Sequence, residues 1–380
     1  MNILLIGEFS RLHNSLKEGL LALGHKVTIV GTGDGFKDYP VDIYIKNVFF
    51  KHRFLFFIAK LIHRITGISL IKIENSYRYY KLLPKLKNYD IVQLINENSL
   101  KTNPRVEIWL LKKIINQNKK IFLLSCGADY SSVSFANKKH LKYSILSPLE
   151  TNKKLRKKYR PILRYLKPSF KKLHHFLFEN INGVIATDLD YHLPLLNHPK
   201  YLGLIPNPIN TDKINFIENT VSKKIKIFHG INLANYEKKG NLFFDEALAI
   251  IKEKYPDEVD IIITNSIPYK TYINLYNNCN VLLDQIYSYD QGYNALEAMC
   301  KGKVVFTGAE EEWLEFYKVQ PNTIAINTIP DAKEIANKLE WLILNPDKVN
   351  EISKNARAFI EKEHHYKKIA QKYIDTWNRN

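Results

Sequence analysis

Cysteine is scarce: the 380 residues hold three, Cys126, Cys279 and Cys300, with no Cys-x-x-Cys pair among them. An odd number so spaced cannot form an even disulfide framework or a thiolate zinc site, and it fits a reducing compartment. Long apolar runs are missing too. No stretch approaches the ~18 uninterrupted apolar residues of a spanning helix. The opening Met1-Asn2-Ile3-Leu4-Leu5-Ile6-Gly7 is too short for a signal-peptide core and has no basic lead-in. Neither secretion nor integral membrane insertion is expected; a cytoplasmic chain is. A third shortage is local: acidic residues are absent from 43–73 and again from 151–178.

What is present is basic. Lys and Arg number 56 against 38 Asp and Glu, a net charge of +18. Residues 1–200 hold 34 basic and 14 acidic side chains, and residues 201–380 hold 22 and 24, so the whole excess lies in the first half. Such asymmetry points to an anionic partner, nucleic acid or membrane. An apolar fraction of 45% with 12% aromatics excludes a disordered chain, and the length suits about two domains.

Strand and helix signals alternate throughout. Strands are expected at Ile3–Ile6, Val27–Val30, Ile91–Leu94, Ile121–Leu124 and Val184–Ala186, and an amphipathic helix at Leu12–Leu23. A second set follows Ile205-Pro206-Asn207-Pro208, with strands at Ile225–His229, Ile261–Thr264, Val281–Asp284 and Val304–Phe306. Helical patterns then run from Asp331 to Trp377. This alternation implies an α/β chain of two doubly wound, parallel-sheet domains, residues 1–204 and 205–360. Ligands of such sheets bind outside the carboxyl ends of the strands, in the crevice between domains.

Gly31-Thr32-Gly33-Asp34-Gly35 has the wrong spacing for a dinucleotide fingerprint and follows the second strand, so a turn is expected there. The second half is more specific. Asp290-Gln291-Gly292-Tyr293-Asn294-Ala295-Leu296-Glu297-Ala298-Met299-Cys300 reads as a loop and a helix start. Gly292 lets a ligand approach the backbone, and the free N–H groups behind it favour phosphate. Glu297, further along the helix, could accept hydrogen bonds from ribose hydroxyls. Upstream, His229-Gly230 ends a strand and Lys238-Lys239-Gly240 opens a helix, where a lysine can neutralise a diphosphate. In this order, on one sheet, the features describe a nucleotide-diphosphate pocket.

With these residues in view, the chain resembles a GT-B glycosyltransferase of the large retaining family 4, often called group 1. The resemblance spans nearly the full length. It rests on the opening strand–Gly–helix with Gly24-His25-Lys26-Val27-Thr28, the Ile205-Pro206-Asn207-Pro208-Ile209 linker and the Lys239-Gly240 helix start. It also rests on the Leu296-Glu297-Ala298-Met299 to Gly302-Lys303-Val304-Val305 block, and on Asn355-Ala356-Arg357 to Tyr373. The resemblance implies a terminal helix, residues 361–380, that returns to the first domain. It implies that Lys239 binds the donor diphosphate, Glu297 the nucleotide ribose, and that the Gly7 loop faces the donor phosphates. Gly230, Gly292 and Tyr293 belong to the same donor pocket. Gly127-Ala128-Asp129 resembles the turn that many members place at the cleft.

Two positions depart from the family pattern. Its first paired glutamate falls at Tyr289, with Asp290 adjacent but out of register, and its arginine after Gly230 is Ile231. Asp284-Gln285 fits a variant in which an Asp-Gln pair precedes the Gly…Glu-Ala-Met block. The implied activity is transfer of a sugar from a nucleotide-diphosphate sugar with retained anomeric configuration. No cofactor and no metal are expected, since Lys239, helix N-termini and Arg11 could stabilise the departing diphosphate. Asp188-Leu189-Asp190 matches an Asp-x-Asp motif only formally and reads as a helix cap. Asp129, His13 and Arg11 are candidates for acceptor-side or donor-phosphate contacts, with capping or surface pairing as the alternative for each.

The acid-free segments supply the remaining expectation. On a helix over Phe49–Ile65, His52, Arg53, Lys60, His63 and Arg64 share one side, and Phe54, Leu55, Phe57, Ile58, Leu61, Ile62 and Ile65 the other. That is the pattern of an interfacial membrane segment, or of a helix packed on the sheet with a basic outer face. Residues 151–178 add ten Lys/Arg, including Lys157, Lys158, Arg164 and Lys171. With no nucleic-acid module in view, the partner expected is an anionic membrane surface at the inner face of the cytoplasmic membrane, beside a lipid-linked or saccharide acceptor. A sugar-nucleotide epimerase of the same architecture, or a catalytically silent binding module, are the alternatives.

Overall fold

The computed structural model describes residues 1–33, 39–267 and 269–380. Asp34 and Gly35 of the glycine loop lie outside the described residues. The first sheet contains β1 (Asn2–Ile6), β2 (Lys26–Gly31), β3 (Ile43–Tyr44), β4 (Ile91–Leu94), β5 (Lys120–Ser125), β6 (Gly183–Ala186) and β7 (Tyr201–Leu204). Their order is β3-β2-β1-β4-β5-β6-β7, with parallel pairing throughout. The second sheet contains β8 (Ile225–Ile231), β9 (Val259–Asn265), β10 (Val281–Leu283), β11 (Val304–Thr307) and β12 (Ile326–Asn327) in the parallel order β12-β11-β10-β8-β9. Each sheet reverses its winding at the first strand, between β1 and β4 and between β8 and β10. Those are the switch points where a crevice opens at the carboxyl ends.

The central strands read as unbroken apolar runs because helices cover both of their faces. Ile3, Leu4, Leu5 and Ile6 are wholly buried. One apolar cluster joins the domains: Leu12 and Leu16 of the first lie in the same packed group as Tyr293 and Leu296 of the second and Trp377 of the last helix.

The linker is held by backbone pairing. The Ile209 N–H donates to the His364 carbonyl at 2.8 Å, and the Tyr366 N–H returns to the Ile209 carbonyl at 3.1 Å. The His364 Nδ1–H donates to the Asn207 carbonyl at 2.9 Å. After this clasp the Tyr366–Arg379 helix crosses back and packs along Leu12–Ala22. Gly19 permits the approach, since a Cβ there would stand 2.4 Å from the Tyr366 carbonyl oxygen.

The amphipathic segment differs from the helix its periodicity predicts. Phe49–Lys51 forms a short 3-10 turn, His52 is extended, and the α-helix runs Arg53–Thr66. Glu74 caps the turn: its carboxylate accepts from the backbone N–H groups of Val48 (2.6 Å), Phe49 (3.1 Å) and Phe50 (3.3 Å). Those are the N–H groups that the start of a turn leaves without a partner, and the α-helix begins separately after the extended His52.

Candidate active site

The carboxyl ends of the second sheet gather three polar side chains. Lys239 Nζ donates to Asp284 Oδ1 at 2.8 Å, and Asn294 Nδ2 donates to the same oxygen at 2.8 Å. Asp284 is buried at the end of β10, while the lysine keeps about a third of its side chain exposed. Tyr272 supports the cluster by donating its hydroxyl hydrogen to Asn294 Oδ1 at 2.9 Å.

Two glycines shape the backbone around it. Gly240, which opens the Asn241–Lys254 helix, has φ +72°, and a Cβ there would lie 2.9 Å from Ile286 Cβ. Only glycine meets both demands without strain. Gly230 lies inside β8, which runs two residues past His229, and the Tyr272 ring covers it so closely that a Cβ would fall 2.4 Å from Cε2.

Gly292 caps the Tyr293–Cys300 helix in extended geometry. The nearest atom to a Cβ built there is Gln285 Nε2 at 4.0 Å, so the helix start is open to a ligand. Gln285 Nε2 itself donates to the Asp290 carbonyl at 3.3 Å. Tyr293 turns away from that opening: it is buried, and its hydroxyl donates to the Pro208 carbonyl at 3.0 Å. Burial first, and then the Glu8 charge, raise its pKa far above that of a free phenol. Tyr293 therefore ties its helix to the linker and to the Gly7–Ser15 region. Glu297, a turn further on, is half-buried near Tyr276 and Lys301, whose ionisation its charge biases.

The Gly7 loop closes this seam from the first domain. Gly7 has φ +91°, and a Cβ there would meet Ile95 Cγ2 at 2.3 Å. Ser10 and Arg11 follow at φ 49° and 75°, two consecutive left-handed residues that need support from their surroundings. His13 gives it: Nδ1–H donates to the Gly7 carbonyl at 2.7 Å from a fully buried ring, and burial lowers its pKa to about 3. It is a neutral positioning group beneath the loop, not one facing the cleft. Arg11 pairs with Glu18 at 3.2 Å, and Glu18 also accepts from Asn210 and Lys213 of the second domain at 2.6 and 2.8 Å.

Asp129 is likewise enclosed. It caps the Tyr130–Asn137 helix, with Oδ1 accepting from the Ser132 N–H at 2.7 Å and Oδ2 from the Ser125 hydroxyl. Burial and the neighbouring Glu97 raise its pKa to about 6. Glu97 reaches about 8 through burial while its partner His174, 2.6 Å away, falls to about 4, also through burial. At neutral pH that contact joins two uncharged groups.

The seam also contains a carboxylate cluster of which the sequence reading caught only fragments. Asp290 accepts from the Leu189 N–H of the other domain at 3.0 Å, and Asp190 reciprocates by accepting from the Ser288 hydroxyl at 2.6 Å and the Tyr289 N–H at 3.2 Å. Burial, opposed by these hydrogen bonds, raises Asp190 to about 6, and burial with a smaller effect of the Asp190 charge raises Asp290 to about 7. Asp188 precedes the Leu189–His192 turn as its N-cap residue, without a side-chain capping bond. Tyr289 accepts the Lys142 N–H on its hydroxyl at 2.8 Å, a further contact between the domains.

The basic face divides into two parts. In the Arg53–Thr66 helix only Ala59 is buried. Phe54, Phe57 and Ile65 are 67%, 64% and 74% exposed, and Arg53, Lys60, Leu61 and Arg64 are exposed beside them. The apolar side is therefore not packed on the sheet. Among the described residues no single helix is long and apolar enough to cross a membrane; this one is followed at 109° by Leu70–Lys85. In the second part Lys157 and Lys171 are exposed, Arg164 is half-buried, and Lys158 turns across the crevice to pair with Glu237.

Two facing parallel sheets, a two-proline linker and a returning last helix define the GT-B fold of glycosyltransferases. Residues 233–375 match the family model described as glycosyl transferase-like, which covers most of the second domain and the returning helix. No curated protein matches the chain. Among solved structures, HepE from Anabaena in complex with UDP-glucose is 14% identical over all of both chains, with a TM-score of 0.59. Sucrose-phosphate synthase from Thermosynechococcus elongatus is 15% identical, over 100% of this chain and 98% of that one, with a TM-score of 0.58. The catalytic domain of starch synthase IV from Arabidopsis thaliana, bound to ADP and acarbose, is 11% identical over 100% and 99%, also at 0.58.

Proposed function

We propose that the protein is a glycosyltransferase that takes a nucleotide-diphosphate sugar on its second domain. It passes the sugar, with retained anomeric configuration, to a lipid-linked or saccharide acceptor on its first domain. The setting is bacterial surface glycan synthesis at the inner face of the cytoplasmic membrane. The observation that carries the reading is the convergence of Lys239, Asp284 and Asn294 beside the open helix start at Gly292, opposite the Gly7 loop. The sugar–phosphate bond breaks as the acceptor oxygen bonds to the anomeric carbon, negative charge grows on the departing diphosphate, and the acceptor hydroxyl passes its proton to that diphosphate's oxygen. Lys239 and the free N–H groups behind Gly292 meet that charge where it develops, without a metal. Glu297 orients the ribose by accepting from its hydroxyls.

The exposed apolar side of Arg53–Thr66 favours this reading over a sugar-nucleotide epimerase, which has no use for an amphipathic membrane face. Nucleic acid is not among the proposed partners. A thermal-shift series with UDP, ADP and their sugars tests the donor site. A ligand at about 100 times its Kd stabilises the fold by about 2.7 kcal/mol, a rise of several degrees. Failure of every nucleotide diphosphate to raise the melting temperature would sink the assignment. Nucleotide release that needs a saccharide acceptor separates a transferase from an epimerase and from a silent module.

A further inference from the structure

A cavity of about 900 Å³ opens in the first domain with six cations around it: Lys153, Arg156, Lys157, Arg160, Arg164 and Lys167. Leu149, Leu163, Leu166 and Pro168 supply its apolar walls. Among the described residues none of the six forms an ion pair with a carboxylate, although nearby Lys139, Lys142 and Lys158 all do. Six like charges around one hollow repel one another, and the acid-free sequence supplies no local counter-charge.

The cavity is built rather than incidental. The Arg164 guanidinium lies over the Tyr165 and Phe170 rings, at 5.2 and 5.4 Å from their centroids, which fixes its plane. Its Nε is buried without a hydrogen-bond partner. A planar guanidinium held in place at the cavity wall suits a tetrahedral oxyanion better than a mobile lysine would. The positive field extends beyond the hollow: Lys72, in the Leu70–Leu82 helix next to the amphipathic one, is held below its ordinary pKa by burial and then by the Arg164 charge.

Its position ties it to the crevice. The Tyr165 hydroxyl reaches Asn96 Oδ1 at 3.4 Å, and Asn96 Nδ2 donates to the Cys126 and Ala128 carbonyls at 2.8 and 3.2 Å, at the carboxyl ends of β4 and β5. On the other flank Lys158 bonds the second domain through Glu237.

We propose that this cavity binds the phosphate-bearing group of the acceptor, as a phosphomonoester, phosphodiester or diphosphate. The inference rests on the reading of the first domain as the acceptor side. The volume accommodates a diphosphate together with an attached sugar or the start of a lipid chain.

The test is calorimetric titration of the full chain with inorganic pyrophosphate, with UDP present at saturation so that the donor site is occupied. Pyrophosphate is expected to bind the wild type, and Arg156→Gln/Arg160→Gln/Lys167→Gln to weaken it at least tenfold with UDP affinity unchanged. Equal pyrophosphate affinity in the two proteins, or an oligonucleotide that binds the cavity more tightly than phosphate compounds, would overturn the proposal. Failure of UDP to bind the wild type would instead strike the donor assignment and leave the pyrophosphate comparison readable. Short-chain phosphatidic acid that displaces pyrophosphate selects a lipid headgroup as the source. Pyrophosphate that binds and resists such displacement selects a phosphorylated saccharide. Either result sustains the site.

Discussion

Lys239 and Arg160 carry the same charge in opposite settings. The ammonium in the second domain rests on Asp284, 2.8 Å away, and Asn294 shares the oxygen. The guanidinium in the first domain stands in a ring of cations without a carboxylate partner among the described residues. The second domain has neutralised itself, and its near-zero balance of charge agrees with that; the first has not. A compensated pocket can wait empty and exchange a soluble donor, whereas an uncompensated hollow is stabilised by whatever anion enters it.

The largest effect that would break this contrast comes from Lys239→Met. It should abolish donor binding and also leave a buried carboxylate unpaired, at a cost of about 3 kcal/mol because the lysine is partly exposed. Calorimetric melting of the single variant and of Lys239→Met/Asp284→Asn checks the point. The double variant should recover most of the stability without the binding, and a single variant as stable as wild type would show that the pair is not compensating.

Next is Phe54→Ser/Phe57→Ser on the exposed helix. Two rings that insert into a bilayer contribute about 2 kcal/mol or more, so sedimentation with anionic vesicles should fall at least tenfold. The melting temperature should hold, because neither ring is packed in the fold. A fall in stability without a change in vesicle binding would return this helix to an ordinary structural role.

A smaller effect concerns the seam between the two regions. Asp190 and Asp290 have pKa values above the ordinary carboxylate range when folded, at about 6 and about 7. The folded chain therefore binds more protons than the unfolded one between about pH 4 and about pH 7, and their effect is a stability that declines as pH rises through that window and then levels. Asp290→Asn should flatten the decline in a melting series, and an unchanged slope would remove Asp290 from the account. The smallest effect expected is none: excess EDTA should leave nucleotide binding and turnover intact. A loss restored by a divalent cation would show that Lys239 does not meet the diphosphate charge alone.

Much of the fold was legible in the sequence because central parallel strands are long apolar runs. Ile91–Leu94 has the bounds expected, and the other central strands differ by a residue or two. The short strands β3, β7 and β12 were not legible. Ile43–Tyr44 and Ile326–Asn327 are two residues each and exist only because a neighbouring strand pairs with them. In the site, Lys239 and Gly240 were readable from a local pattern. The Lys239–Asp284 pair spans 45 residues, and the Asp290–Leu189 bond spans 101, so neither leaves a trace in local spacing. The same limit applies to Tyr293 and His13, whose types suit a site but whose directions are set by packing. For Arg53–Thr66, periodicity gave the amphipathic pattern, while the exposure of its apolar side depends on the neighbours it lacks.

The most direct measurement is the UDP affinity of three proteins by calorimetry: wild type, Lys239→Met/Asp284→Asn, and Arg156→Gln/Arg160→Gln/Lys167→Gln. A division of labour between the domains predicts a loss of tenfold or more in the first variant and no change in the second. Full UDP affinity without Lys239 and Asp284, or a loss on removing the first-domain cations, would contradict it.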